Sequence, residues 1–369
     1  MTKLYSVIAI TCKLNIITLN LVYYYIVIQQ QKKLFEPLVI VSNALAGGGA
    51  EKTMLTLHLE FIKKGINCYL IALNQSIEID DMKNIKVLNR FWGDNFKSTA
   101  GNFLNFKSLL KEIDPKTIIV NCELPELYIS LLKKNNRRII CVEHTSIPWH
   151  KRKGIGIIVR LLLKTKRVEW VSVIKGQNRT WFNRIAQYIP NPYIGPTEIL
   201  KNLFSETSIA FIGGLKQNKR PSWVIESGIK NSLPVNIYGE GHLKLSLESK
   251  YFNLLQDVSF HGFKPNVWEL IPKNSLVVIP SEHEGDGMVV IEAIILKFPI
   301  VLAKNKDLLR FGLEAKHYFN TLNDLTNLIN QNKSENFIEL IVREEFRRDL
   351  LKERSLDLIV EHWLIVLNK

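Results

Sequence analysis

The sequence predicts an α/β protein built from two Rossmann-like domains, with helices at its C-terminal end. Three observations predict it. From Pro37 onward, short β-branched runs alternate with amphipathic stretches, the pattern of a parallel sheet with crossover helices. The alternation breaks at Ile189-Pro190-Asn191-Pro192-Tyr193-Ile194-Gly195-Pro196, where three prolines remove backbone donors and disfavour helix. It then resumes near residue 208, and a chain of 369 residues is long enough for two cores, at about 150–190 residues per domain.

Taken in order, the first domain (37–190) has strand candidates at 38–42, 67–73, 117–120, 138–142 and 169–173. Helical stretches at 50–63 and 126–134 lie between them, and Gly65 is placed to cap the first of these. The proline-rich break and the residues after it (191–207) read as a linker. The second domain (208–334) offers strands at 208–213, 235–238, 276–280 and 300–303, and residues 335–369 read as terminal helices. The two domains are expected to face each other across a cleft. In open α/β sheets ligands lie beyond the carboxyl ends of the strands, so the loops following these strands are where function is sought.

Composition bounds the class. A 46% hydrophobic and 23% charged chain is globular. Cys12, Cys68, Cys122 and Cys141 are scattered, with no Cys-x-x-Cys pair, and read as reduced residues of a cytosolic protein. Residues 1–36 form an apolar extension interrupted by Lys13, Asn15 and Asn20. It is open to three readings: a membrane span, a surface-lying or poorly ordered extension, or an over-extended start. The net charge of +14 is concentrated. Between Lys133 and Arg184 there are fourteen Lys or Arg against Glu143 and Glu169 alone, a balance of +12. Such a face implies an anionic partner. Lys153, Arg160, Lys164 and Arg167 fall on one stripe of a helix. That stripe reads either as an ordinary surface helix or as a dock for an anionic membrane surface. No nucleic-acid module accompanies the charge.

The strongest motif is Ser281-Glu282-His283-Glu284-Gly285-Asp286-Gly287-Met288-Val289-Val290-Ile291-Glu292-Ala293. It follows the strand at 276–280 and runs into a helix. In a helix over 287–296, the neighbours of Glu292 three and four residues away are Met288, Val289, Ile295 and Leu296, all apolar. A carboxylate there needs a hydrogen-bonding partner. The candidates are a distant basic side chain or the hydroxyls of a ligand. Glu284 sits in the preceding loop, as a solvated acid or a ligand contact. Gly285, Gly287 and Met288 offer backbone N–H groups at a helix start, which suits an anion. Gly48 and Gly49 open the first helix, as a tight turn or a close approach to phosphate. Lys219 and His144 each follow a strand; each reads as structural or as a ligand contact. A ligand bearing both phosphates and hydroxyls fits the motif, and a nucleotide-sugar has both.

These residues resemble a known family. Glu284 and Glu292 match the Glu-x7-Glu motif of GT-B glycosyltransferases, in particular the large retaining family 4, the glycosyl transferases group 1. Gly47-Gly48-Gly49-Ala50-Glu51, Phe211-Ile212-Gly213-Gly214-Leu215-Lys216-Gln217-Asn218-Lys219-Arg220, the Pro-Asn-Pro linker and the turn Val258-Ser-Phe-His-Gly262 fit it as well. The resemblance implies that the first domain receives the acceptor and the second binds the donor. It implies that Glu292 holds the ribose hydroxyls, and that Glu284 contacts the transferred sugar and supports charge at its anomeric carbon. Lys219 then clamps the diphosphate, the Gly48/Gly49 and Gly287/Met288 N–H groups touch it, and His144 stands beside the sugar. The chain departs from the family at Gly214, where an arginine is usual; Lys216 and Arg220 are the candidate replacements.

The reading is therefore a retaining hexosyltransferase (EC 2.4), moving a sugar from a nucleotide-sugar, UDP-linked, to a glycan or glycolipid acceptor such as a lipid-linked oligosaccharide or lipopolysaccharide. Glu282-His283-Glu284 lacks the spacing of a metal site and no Asp-x-Asp occurs, so neither cofactor nor metal is expected. The expected location is the cytoplasm, peripheral at the inner face of the bacterial inner membrane. Two rivals stay open: a glycoside hydrolase or phosphorylase using two carboxylates, and a degenerate binding module on the same fold.

Overall fold

The computed structural model describes residues 36–45, 48–74, 84–90, 96–133, 135–177, 179–180, 184–199, 207–254 and 257–369. The expected N-terminal extension and Gly47 lie outside the described residues. The strands form two sheets, in the orders β3-β2-β1-β4-β5-β6-β8-β7 and β11-β10-β9-β12-β13-β14. By contacts the chain divides into one unit of residues 1–142, 151–169 and 363–369, and a second of residues 143–150 and 170–362.

In the first unit β1 (Leu38–Ser42) pairs in parallel with β2 (Cys68–Asn74) and β4 (Thr117–Asn121). The edge strand β3 (Ile85–Arg90) pairs with β2, and β5 (Arg138–Glu143) with β4. Every residue of β1 is buried, as expected of a strand covered on both faces. The crossovers are α1 (Gly49–Lys63), α2 (Phe96–Ile113) and α3 (Glu123–Leu131), followed by α4 (Lys153–Thr165). Gly65 ends α1 as expected: it takes φ +79 and donates to the Ile62 carbonyl at 2.9 Å.

The second unit holds β6 (Glu169–Ser172), β7 (Arg179–Thr180), β8 (Arg184–Tyr188) and the second sheet. That sheet is β9 (Ile209–Ile212), β10 (Val235–Tyr238), β11 (Val258–Gly262), β12 (Leu276–Ile279), β13 (Ile300–Ala303) and β14 (Tyr318–Phe319), all parallel. Val258–Gly262, expected as a turn, is its edge strand. Strand order reverses between β9 and β12, which makes their carboxyl ends a topological switch point. The second unit's helices are α5 (Pro221–Lys230), α6 (Lys244–Lys250), α7 (Val267–Leu270), α8 (Met288–Ile295), α9 (Lys306–Leu309), α10 (Leu322–Asn332) and α11 (Glu344–Glu353); the last helix, α12 (Leu356–Asn368), is divided between the units at residue 363. The core joins β9, β12 and β13 to α8, whose Val290, Ile291, Ala293, Ile294 and Ile295 are all buried.

Two arginines one heptad apart, on α11 and at its end, hold the proline-rich segment. Arg354 donates to the Asn191 carbonyl at 3.2 Å and Arg347 to the Thr197 carbonyl at 2.8 Å. Three prolines leave that segment few N–H groups of its own, and the guanidinium groups satisfy its carbonyls instead.

Among the described residues no helix is long and apolar enough to cross a membrane. Cys68 and Cys141 are buried and Cys122 half-buried, all as free thiols; burial pushes the Cys68 thiol far up.

One expected surface is corrected. Arg160 is not on the outside of α4 but 2% exposed, and it forms a two-pronged pair with the equally buried Glu126 of α3, at 2.8 and 3.2 Å. The residues that face outward are Ile155, Ile157, Ile158, Leu161 and Leu162. Lys153 and Lys164 are exposed on the helix and Arg167 just after it. The stripe is real; a buried carboxylate opposite decides that part of it turns inward.

Candidate functional site

The site is assembled at the switch point from loops that follow β9, β12 and β13. Backbone bonds lace the loops to one another. Gly213 N–H donates to the Tyr238 carbonyl at 3.0 Å, Leu215 N–H to the Glu240 carbonyl at 2.9 Å and Glu282 N–H to the Asn218 carbonyl at 2.8 Å. The approach is close enough that a Cβ on Gly239 would stand 1.9 Å from the Gly213 oxygen, which only glycine permits.

The loop after β9 carries Lys216, a short 3-10 turn at Gln217–Lys219, and Arg220 in the left-handed region at φ +47. Pro221 then starts α5 at its first position, where its missing N–H costs nothing. This turn aims Lys219 at Glu284, and the two form an ion pair. Arg220 pairs with Glu282 at 2.7 and 3.0 Å and lies 4.5 Å over the Trp223 ring. Lys216 runs beside Gly214, with its Cε 3.3 Å from where a Cβ on Gly214 would be. Of the two candidates for the cation missing at Gly214, Arg220 is engaged. Lys216 is exposed and has no ion-pair partner among the described residues.

The motif loop after β12 ends at Gly287, the N-cap of α8. Gly287 has φ +74, and a Cβ there would stand 2.9 Å from the Phe311 ring. The backbone and the packing each call for glycine at that point. Met288 and Val289 occupy the first turn, whose N–H groups have no helical acceptor. Glu292, one turn further, accepts a hydrogen bond from Trp268 Nε1 at 2.9 Å. Its apolar helix neighbours signal the need for a partner; Trp268, 24 residues earlier, gives no local signal.

Behind the loop lie charged residues that sequence reasoning missed. Asp286, placed among N–H donors from the sequence, is buried and pairs with Arg354 at 2.6 Å. It also accepts the Asn191 N–H at 3.1 Å. Asp307 accepts from Ser146 Oγ at 2.9 Å and from Glu284 N–H at 3.2 Å. Arg310 donates to the Gly285 carbonyl, and burial lowers its pKa against the pull of Asp286, Asp307 and Glu284. A loop holding two glycines has little stiffness of its own. These contacts fix its path, and so the position of Glu284.

His144 follows β5 and is brought to this loop: its carbonyl oxygen faces Gly285. Its Nε2 is buried with no hydrogen-bond partner among the described residues. Burial lowers the imidazole to about 4, so it is neutral at pH 7. Thus Glu284, Lys219, Gly287, Met288, Glu292 and His144 share the second unit. Gly48 and Gly49 belong to the first, at the start of α1. Gly48 is extended at φ −162, and a Cβ there would meet Glu51 Oε2 at 2.9 Å. Neither the extended backbone nor that mobile carboxylate tip requires glycine at 48.

The site's core coincides with a family match: the model described as Glycosyl transferases group 1 fits residues 200–310. In fold the chain is similar to the lipopolysaccharide outer core galactosyltransferase WaaB, with a TM-score of 0.63 over 89% of this chain and 98% of that one, at 17% identity.

The chain has the GT-B fold.

The chain is also similar in fold to Anabaena Alr3699/HepE, solved in complex with UDP and glucose. The TM-score is 0.71 at 13% identity, over 90% of this chain and 99% of the other. In sequence it is 27% identical over 182 residues to the poly(ribitol-phosphate) alpha-N-acetylglucosaminyltransferase of Staphylococcus aureus strain COL. That match takes in 46% of this chain and 36% of the relative, so the chain spans about a third of that relative's length.

Proposed function

We propose that this chain is a glycosyltransferase that moves a sugar from a UDP-sugar to a hydroxyl of a cell-surface glycan or glycolipid, with retention of anomeric configuration. The observation that carries the reading is the convergence of Lys219, Glu284 and the start of α8 at one switch point, with Glu292 one turn inside. Such an arrangement offers cations and free N–H groups to a diphosphate and carboxylates to sugar hydroxyls. Similarity to a UDP-bound structure and to a lipopolysaccharide galactosyltransferase supports the donor and the kind of acceptor.

On this reading Glu292 holds the ribose, and its bond from Trp268 fixes the carboxylate's rotamer. Glu284 is pinned by Lys219 until the donor diphosphate takes the lysine, which frees the carboxylate for the sugar. Lys216 supplies the positive charge that Gly214 does not. His144 is neutral and acts as no acid at pH 7. Charge leaving with the diphosphate is stabilised by lysines and N–H groups, without a metal. The diphosphate oxygen that departs takes the acceptor's proton, so the bond to the acceptor forms on the face the leaving group vacates.

The test is a panel of UDP- and GDP-sugars assayed for release of free nucleotide, with and without EDTA. A UDP-sugar turned over equally in both conditions supports the reading. Turnover of none, with no nucleotide binding by calorimetry, overturns it, and strict dependence on magnesium or manganese overturns the metal-free part.

A further inference from the structure

We propose that the outer face of α4 is a docking ridge that inserts into the interfacial layer of an anionic phospholipid bilayer. It does not rest on the donor site, which belongs to the other unit.

The argument begins with how α4 is seated. Its inward face is Gly156, Val159, Arg160 and Leu163. Arg160 is drawn in by Glu126 through two hydrogen bonds, and the following Lys166 donates to the Leu132 carbonyl. At 100° per residue, fixing that face leaves Ile155, Ile157, Ile158, Leu161 and Leu162 centred on the opposite side. They are 46, 44, 61, 45 and 38% exposed. A surface helix normally turns a polar face to water. This one is apolar on both sides, and its outer side is covered by no described part of the chain. Five large aliphatic side chains in one contiguous face form a patch of the kind that marks a binding surface.

Charge selects the occupant. Exposed cations border the patch: Lys153 and Lys164 along one edge, Arg152 before the helix and Arg167 after it. No Asp or Glu occurs from 144 to 168, and Glu169 is taken by Arg138 at 2.6 and 2.7 Å. A second copy of this face would set these cations against their own kind. An apolar acceptor rimmed by anions fits both features, as a bilayer of anionic lipids does. With thirteen residues, α4 is about 20 Å long, suited to lie in the interface and not to cross it.

The experiment is sedimentation of the full chain with phosphatidylcholine vesicles, with and without phosphatidylglycerol, at low and high salt. Ile158→Asp with Leu162→Asp should lower partitioning onto the anionic vesicles by ~10-fold or more, at either salt. Lys153→Gln with Lys164→Gln should lower it several-fold at low salt and leave it unchanged at high salt. Ile158→Ser with Leu162→Ser, a milder change, should fall between. All three should keep the wild-type melting temperature and UDP affinity, which separates docking from donor binding. The proposal is overturned if the wild type ignores anionic vesicles, or if the aspartate variant partitions as the wild type does. The same holds if the aspartate change converts an oligomer to a monomer in sedimentation velocity, since the face would then meet a second copy.

Discussion

The carbonyl oxygen of His144 lies 2.0 Å from where a side-chain carbon on Gly285 would stand. The segment after β5 and the motif loop are therefore in backbone contact, and Gly285 is what permits it. Asp307 fastens the same junction, holding Ser146 on one side and the Glu284 N–H on the other.

Gly285→Ala should force the loop away from His144. A clash with backbone, which cannot swing aside as a side-chain tip can, costs about 1–3 kcal/mol. The expected result is a melting temperature several degrees lower and weaker UDP binding. A variant equal to the wild type in both would mean that the loop has room to spare.

Glu292→Gln should keep the fold, because an amide oxygen can still accept from Trp268 Nε1. Charge-assisted bonds to ribose hydroxyls are worth roughly 1.5–3 kcal/mol each over their loss. UDP affinity should therefore fall by at least ~10-fold while the melting temperature holds. Calorimetry showing unchanged affinity would remove the ribose role from this residue.

His144 carries a sign that can be checked. Burial lowers its pKa to about 4 from the ordinary 6.5. Between those values the unfolded chain binds the proton and the folded chain does not, so stability rises with pH across that window. The contribution is whole above pH 6.5 and is lost as pH falls toward 4, by up to roughly 3 kcal/mol. Replacing His144 by Gln should flatten the acid limb of the stability profile. Parallel urea titrations at several pH values read it, and profiles of equal slope would contradict the buried, neutral imidazole.

Arg160→Ala removes both hydrogen bonds from the guanidinium to the buried Glu126 carboxylate and should cost about 3–5 kcal/mol. Pairing Glu126→Leu with Arg160→Met should restore most of that, since two apolar groups need no partner. A double variant as unstable as the single would mean that Arg160 contributes through some other contact.

The central strands and the site's skeleton were legible in the sequence because they rest on local signals. β1 and β13 are continuous apolar runs, α1 ends at a glycine, and the motif loop has glycines where a chain must turn into a helix. Strands β3, β7, β8, β11 and β14 were missed. They lie toward the sheet edges, where one-sided pairing tolerates short, polar or charged sequence. The loop after β9, with Lys219 at its end, is tied to the motif in the sequence only by the resemblance, since 65 residues separate Lys219 from Glu284.

By itself, then, the sequence determined the two α/β sheets, the carboxylates at 284 and 292, and a helix at 153–165 with a basic stripe. The tertiary structure alone decided what those residues meet. It seated Glu292 against Trp268, Asp286 against Arg354 and Lys216 beside Gly214. It also turned α4 so that Arg160 faces Glu126 and five aliphatic side chains face out. Periodicity fixes which residues of a helix share a face, because that depends on the rise and turn of the backbone. It does not fix which face is inside. That depends on a partner elsewhere in the chain: here a buried carboxylate 34 residues away, whose charge the arginine comes in to meet.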